Sequence, residues 1–152
     1  MSKGTRIWVD ADAMPRAVKE VLFRASDRRA VSVVLVANSR LPDPGYGDVS
    51  FIQVDQGPDE ADHYIAEHVE AGDLVITADI PLAARVVPKG AAVIQPHGRE
   101  LDQDSIDEAL ALRDFKESLR ESGTITGGPP PFGPKQKQRF ANALDRWISR
   151  RR

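Results

Sequence analysis

Five aspartates stand near prolines at three points where helices should begin. They are Asp10 and Asp12 in Trp-Val-Asp-Ala-Asp-Ala-Met-Pro (8–15), Asp59 and Asp62 in Pro-Asp-Glu-Ala-Asp (58–62), and Asp79 in Thr-Ala-Asp-Ile-Pro (77–81). Taken singly, each is better explained as a helix cap, since Asp is a preferred N-cap and is stabilised at helix N-termini by roughly 0.3 to 1 kcal/mol. Taken together they suggest metal chemistry. Carboxylates brought to one place repel unless a cation offsets them, and hard oxygen ligands match Mg²⁺ or Mn²⁺. Such ions keep several waters, one of which can attack a phosphodiester, and lower its pKa enough that no histidine base is required. In this scheme Asp10 and Asp79 hold the metal directly, while Asp12, Asp59 and Asp62 bind it or orient its waters. The strand-end set Asp10, Asp12 and Asp79 is the candidate catalytic group. His63, His68 and His97 are left as surface or core-edge residues.

The aspartates need a scaffold that brings distant turns together, and the hydrophobic pattern supplies one. Ile7 to Val9, Val31 to Ala37, Val49 to Val54, Leu74 to Thr77 and Ala91 to Gln95 read as five strands. The β-branched run at 31–37 has the mark of a central parallel strand. Between them, Val18, Val21, Leu22 and Ala25 mark one helix face, Ala61, Ile65 and Val69 another, and Pro81 opens a short third helix. Ser105 and Glu108 form a capping-box pattern for a fourth helix carrying Ile106, Ala109, Leu110 and Leu119, and Lys135 to Arg150 reads as a last amphipathic helix. Strands alternating with helices imply right-handed crossovers, hence a three-layer α/β fold with a mainly parallel sheet of about five strands. In such sheets the strand-to-helix turns share the carboxyl edge, where ligands bind. Asn38 and Thr77 end strands at that edge and could either hydrogen-bond a substrate or close their own turns.

A length of 152 residues suits one domain, and 41% apolar with 29% charged residues excludes a disordered chain. The expectation is a single domain over 1–152 in which 123–152 forms a Gly/Pro loop and a basic C-terminal helix docked on the rest. With no cysteine, thiolate metal sites, disulfides and cysteine nucleophiles are excluded. No apolar run approaches the roughly 20 residues of a membrane span and the first residues lack a signal-peptide core, so a cytoplasmic location and no membrane partner are expected. The net charge of −2 conceals an asymmetry: residues 1–121 carry 14 Lys and Arg against 22 Asp and Glu, residues 122–152 carry 7 against 1. The basic tail could contact nucleic acid or dock on the acidic body of its own chain. Lys135, Lys137 and Arg139 with Phe132 could clamp a single strand, or Phe132 could anchor the last helix to the core. Gly127-Gly128-Pro129 matches neither a P-loop nor a dinucleotide fingerprint and reads as a structural turn.

At these residues the chain resembles the YaiI/YqxD family, small uncharacterised bacterial proteins grouped with PIN-like nuclease domains. The resemblance rests on residues 8–15, Val-Ala-Asn at 36–38, Gly-Pro-Asp-Glu-Ala-Asp at 57–62, Leu-Val-Ile-Thr-Ala-Asp-Ile-Pro-Leu-Ala at 74–83, Lys-Gly-Ala at 89–91 and Gly-Gly-Pro-Pro-Pro-Phe at 127–132. It implies a PIN-like fold and Asp10, Asp12, Asp59, Asp62 and Asp79 as the acidic site. Where the family usually has cysteine this chain has Met14, which argues against an obligatory thiol there.

These readings converge on a Mg²⁺- or Mn²⁺-dependent nuclease acting on RNA or single-stranded nucleic acid, with Asn38, Thr77, Lys135 and Arg139 as candidate substrate contacts. Two alternatives stay open. One is a phosphatase of the haloacid-dehalogenase type, with Asp10 as nucleophile and Asp12 as acid/base. The other is a non-catalytic module binding metal or nucleic acid. The oligomeric state is open.

Overall fold

The apolar β-branched stretches pair into one sheet. The computed structural model describes residues 5–12, 14–124 and 131–150. Strand β1 (Arg6–Asp10) leads to helix α1 (Arg16–Arg28), then β2 (Ser32–Ala37), β3 (Val49–Gln53), α2 (Glu60–His68), β4 (Leu74–Ile76) and α3 (Ile80–Val86). There follow β5 (Ala92–Ile94), β6 (Glu100–Leu101), α4 (Ile106–Glu121) and α5 (Pro134–Arg150). The strand order is β3-β2-β1-β4-β5-β6, parallel through β5, with β6 antiparallel at the edge. Five strands were expected; the sixth has two residues, too few to show a period of 2. It forms because the turn at Gln95–Arg99 folds back, with Gln95 and Gly98 amides donating to the Arg99 and Gln95 carbonyls at 2.8 Å.

Alternation along the strands divides the core into two. Trp8, Val34, Val36, Val75 and Val93 face α2, α3 and α4, whereas Ile7, Val9, Val33, Leu35 and Ile76 face α1 and α5. The chain moves outward one way from β1 to β2 through α1, and the other way from β3 to β4 and β4 to β5 through α2 and α3. With right-handed crossovers that reversal puts the helices on opposite faces, which gives the three-layer α/β architecture. It also makes the carboxyl ends of β1 and β4 the topological switch point, where a crevice opens between neighbouring strands.

Helix α5 buries Phe140, Leu144, Trp147 and Ile148 against α1 and the sheet, and Phe132 packs on the same cluster, so Phe132 is a core anchor. Part of the basic tail is matched by the body: Lys137 pairs with Glu20, and Arg146 and Arg150 share Glu100. Of the Gly127–Phe132 motif, residues 127–130 lie outside the described residues.

The capping box at Ser105 is replaced by another device. Ser105 makes no side-chain bond into α4; instead the Asp102 carboxylate accepts from the amides of Asp104 and Ser105, and the Asp102 carbonyl accepts from Ile106. An Asx turn competes successfully for the same orphan amides.

At the opposite, amino edge of the sheet lies a carboxylate that local patterns do not reveal. Asp73, only 5% exposed, accepts hydrogen bonds from the Arg6 amide (3.1 Å), the Trp8 indole (2.9 Å) and the Glu70 amide (2.9 Å). It fastens β1 to the start of β4, and it gives the buried Trp8 indole the partner such a group needs.

Candidate acidic site at the sheet's switch point

Asp10 is the last residue of β1, and Thr77 follows β4 directly beside it. Thr77 is 1% exposed and its hydroxyl works in both directions. It donates to Asp10 Oδ2 at 3.0 Å and accepts from the Asp79 amide at 3.0 Å. Thr77, which the sequence offers as either a substrate contact or a turn closer, links the two aspartates and sets their relative position. Asp79 is the N-cap of α3, its Oδ1 accepting from the Leu82 amide at 2.9 Å.

Helix α2 brings Asp59 and Asp62 to the same edge. Asp59 occupies the N-cap position of α2 but its side chain makes no capping bond. Asp62 lies in the first turn. A cavity of about 500 Å³ is lined by Asp59, Asp62, His63, Asp79, Arg85 and Arg113. Of the five aspartates, Asp79 alone caps a helix, so capping does not account for the group.

Electrostatics distinguish the members. Burial pushes the Asp10 carboxyl up, Thr77's hydrogen bond pulls it down, and the charges of Asp79 and Asp12 push it up again. Asp62 is pushed up to about 7, first by burial, then by a hydrogen bond with Asp79 that needs a proton between the two carboxyls, then by the charges of Asp79, Asp10 and Asp59. A carboxyl crowded by like charges retains its proton until something else neutralises the group.

Asp12 has a different setting. It is exposed, and its oxygens accept from the Asn38 amide at 2.9 and 3.1 Å and from the Ser39 hydroxyl at 3.3 Å. It thus joins the β1–α1 turn to the end of β2. Asn38 offers its amide to Asp12 and its carbonyl to Gln56, so its main chain closes the turn. An Asp12 held by the Asn38 amide is badly placed as the mobile acid/base that the phosphatase alternative needs.

The remaining candidates lie apart. Lys135 and Arg139 sit one turn apart on α5, both exposed and neither lining the acidic cavity, with Arg139 against Gly98 of the Gln95–Arg99 turn. His63 Nδ1 accepts from Arg85 at 3.2 Å at the cavity rim, and His68 Nδ1 donates to the Tyr64 carbonyl. Met14 is buried in the α1 core. Among the described residues no three acidic or histidine side chains stand in metal-ligating geometry. The donor set nonetheless suits a hard cation by its chemistry: oxygens only, at least two of them with raised proton affinity, with Asp10 Oδ1 unbonded among the described groups.

Sequence comparison adds the family. A model described as "Uncharacterized BCR, YaiI/YqxD family" matches residues 8–150. A UPF0178 protein of Cellvibrio japonicus is 54% identical over 147 residues, covering 96% of this chain and 97% of that one. Another from Trichlorobacter lovleyi is 54% identical over 144 residues (95% and 94%), and one from Xanthomonas campestris pv. campestris is 52% identical over 145 (95% and 91%). No solved structure matches the chain. Among the described residues no helix is long and apolar enough to cross a membrane. With matches that run through both the acidic turns and the last helix, the chain belongs to the YaiI/YqxD family.

Proposed function

We propose that this chain is a divalent-metal-dependent phosphodiesterase acting in the cytoplasm on RNA or another single-stranded nucleic acid. The observation that carries the reading is the crowding of Asp10, Asp62 and Asp79 at the β1/β4 switch point, where Asp62 retains a proton near neutral pH. Asp10, Asp62 and Asp79 would hold Mg²⁺ or Mn²⁺, with Asp59 at the rim. When bound, the ion supplies positive charge for the phosphoryl oxygens and a more acidic water. The chain's own residues do the rest. Thr77 fixes Asp10 through Oδ2 and leaves Oδ1 without a hydrogen bond among the described groups. Leu82 fixes Asp79 through Oδ1, and Asp62 gives up its proton when the cavity is neutralised. Arg85 and Arg113 line the cavity wall and would meet a substrate phosphate by exchanging their present partners, His63 for Arg85 and Asp114 and Glu117 for Arg113.

Calorimetric titration of Mn²⁺ into wild type and Asp10→Asn, paired with cleavage of a labelled RNA, tests this. The expected result is Mn²⁺ binding and cleavage in wild type, both lost in a variant that circular dichroism shows to be folded. Cleavage retained in Asp10→Asn would overturn it. Metal binding without turnover would favour a non-catalytic module, and a phosphorylated Asp10 would favour the phosphatase.

A further inference from the structure

The sequence shows no basic stripe in its first 121 residues, but the fold assembles one. Next to the acidic cavity lies a second, of about 200 Å³, lined by His97, Arg99, Arg113, Lys116 and Arg120 with Leu112 at its edge. Its cations come from two separate stretches: the turn between β5 and β6, and one face of α4, where 113, 116 and 120 follow helical spacing. A third element adds to them. Gly98, at φ +102°, lets that turn press on α5 so closely that a Cβ there would stand 2.8 Å from Arg139 Cβ. Arg139 therefore stands beside His97 and Arg99, and burial first, then the charges of Arg99 and Arg139, hold the imidazole below its ordinary pKa.

These cations differ from the tail's in their partners. Among the described residues Arg99, Lys116, Arg120 and Arg139 form no ion pair, whereas Lys137, Arg146 and Arg150 are matched by carboxylates. Only Arg113 is engaged, with Asp114 and Glu117. Gathering unmatched positive charges on a chain of net charge −2 costs Coulomb energy that an anion would recover. Arg113 lines both cavities, and Ile80 of the second follows Asp79 of the first, so the two adjoin along a shared wall. On the outer side α4 presents Phe115 at 61% and Leu112 at 41% exposure. A cationic floor beside an exposed aromatic ring suits phosphates and an unstacked base together, a combination an acidic peptide would not use.

We propose that the groove between α4 and the β5–β6 turn binds the phosphodiester backbone of a single nucleic-acid strand leading away from the acidic cavity, with Phe115 stacking a base. The proposal rests on reading the substrate as single-stranded nucleic acid, but strand binding in the groove needs no metal and can be measured apart from cleavage.

The test is fluorescence anisotropy of a labelled oligouridine in EDTA, with wild type, Lys116→Glu/Arg120→Glu and Phe115→Ala. All three changes are at exposed positions, and circular dichroism verifies folding. The double variant should bind at least about tenfold more weakly, with a log–log salt slope shallower by about 1 to 2. Phe115→Ala should lose about tenfold affinity with its salt slope unchanged. Mn²⁺ titration of the double variant should match wild type. Oligouridine affinity and salt slope unchanged in the double variant, or no oligouridine binding by wild type, would overturn the groove while leaving the acidic site standing. Competition by polyglutamate as effective as by unlabelled oligouridine would overturn the nucleic-acid assignment in favour of an acidic protein partner. Loss of Mn²⁺ binding in wild type with oligouridine binding retained would sink the catalytic reading and support the groove.

Discussion

The two edges of the sheet treat a buried or half-buried carboxylate in opposite ways. At the amino edge Asp73 is surrounded by donors, two backbone amides and an indole, and its charge is balanced by three hydrogen bonds. At the carboxyl edge Asp10 has one hydroxyl donor and faces other carboxylates, and Asp62 is pushed up to about 7 by burial first and then by its acidic neighbours. Donors around a carboxylate stabilise the fold. Acids around a carboxylate destabilise it, and that unfavourable energy is available to a cation. Asp12 shows how local the distinction is: two residues from Asp10, it belongs in kind with Asp73.

The largest expected effect that sharpens the contrast is on activity. Asp10→Asn should lower Mn²⁺-dependent cleavage by about 10²- to 10³-fold, while chemical denaturation shows stability equal to wild type or higher. A large loss of stability in that variant would break the contrast. Next, Asp73→Ala should cost about 3 kcal/mol in urea denaturation, because three donors lose a charged acceptor, with Mn²⁺ affinity of the folded protein unchanged. An Asp73→Ala protein as stable as wild type would remove the amino edge from the comparison.

The third effect is on pH. Asp62 binds its proton more tightly folded than unfolded, so between pH about 4 and about 7 its own contribution to stability falls as pH rises, against an opposite slope from His97, whose folded pKa is lowered. After allowance for solvent screening the fall should be on the order of 1 kcal/mol. Asp62→Asn should flatten that portion of the profile, and Mn²⁺ should raise the melting temperature at pH 8 more than at pH 5. Wild-type and Asp62→Asn profiles that run parallel over this range would contradict the crowding. The smallest effect belongs to Thr77→Val, which removes the hydroxyl but keeps the shape. It should weaken Mn²⁺ binding about fivefold in calorimetry, since Asp10 loses the donor that lowers its proton affinity.

The difference between the edges also marks what the sequence reveals. Runs such as Val-Ser-Val-Val-Leu-Val-Ala and the helix stripes carry their period locally, so the α/β alternation can be read directly. A parallel sheet places every strand-to-helix turn on one edge, which is why Asp10 and Asp79 could be grouped without knowing the strand order. What each side chain does at that edge could not be read. Asp12's partners are 26 and 27 residues away, and two of Asp73's three are 65 and 67 away, so the neighbouring residues do not signal these long-range bonds. The β5–β6 turn, α4 and α5 form the cationic groove only after folding, and the glycine that permits the contact, Gly98, looks in sequence like any turn glycine. The tail's charge was visible, but its pairing with Glu20 and Glu100 was not.

The central position of β1 has a consequence for the order of events during synthesis. This strand pairs on one side with residues 32–36 and on the other with residues 74–76. A growing chain can zip the first pairing early, yet Asp10 meets Thr77 and Asp79 only after the second, more than sixty residues later. A ribosome-bound or truncated product ending before β4 therefore carries the first aspartates without their counterparts and can have no assembled site. The two halves of the acidic site thus come together late and in one step, when β4 adds to the free side of β1.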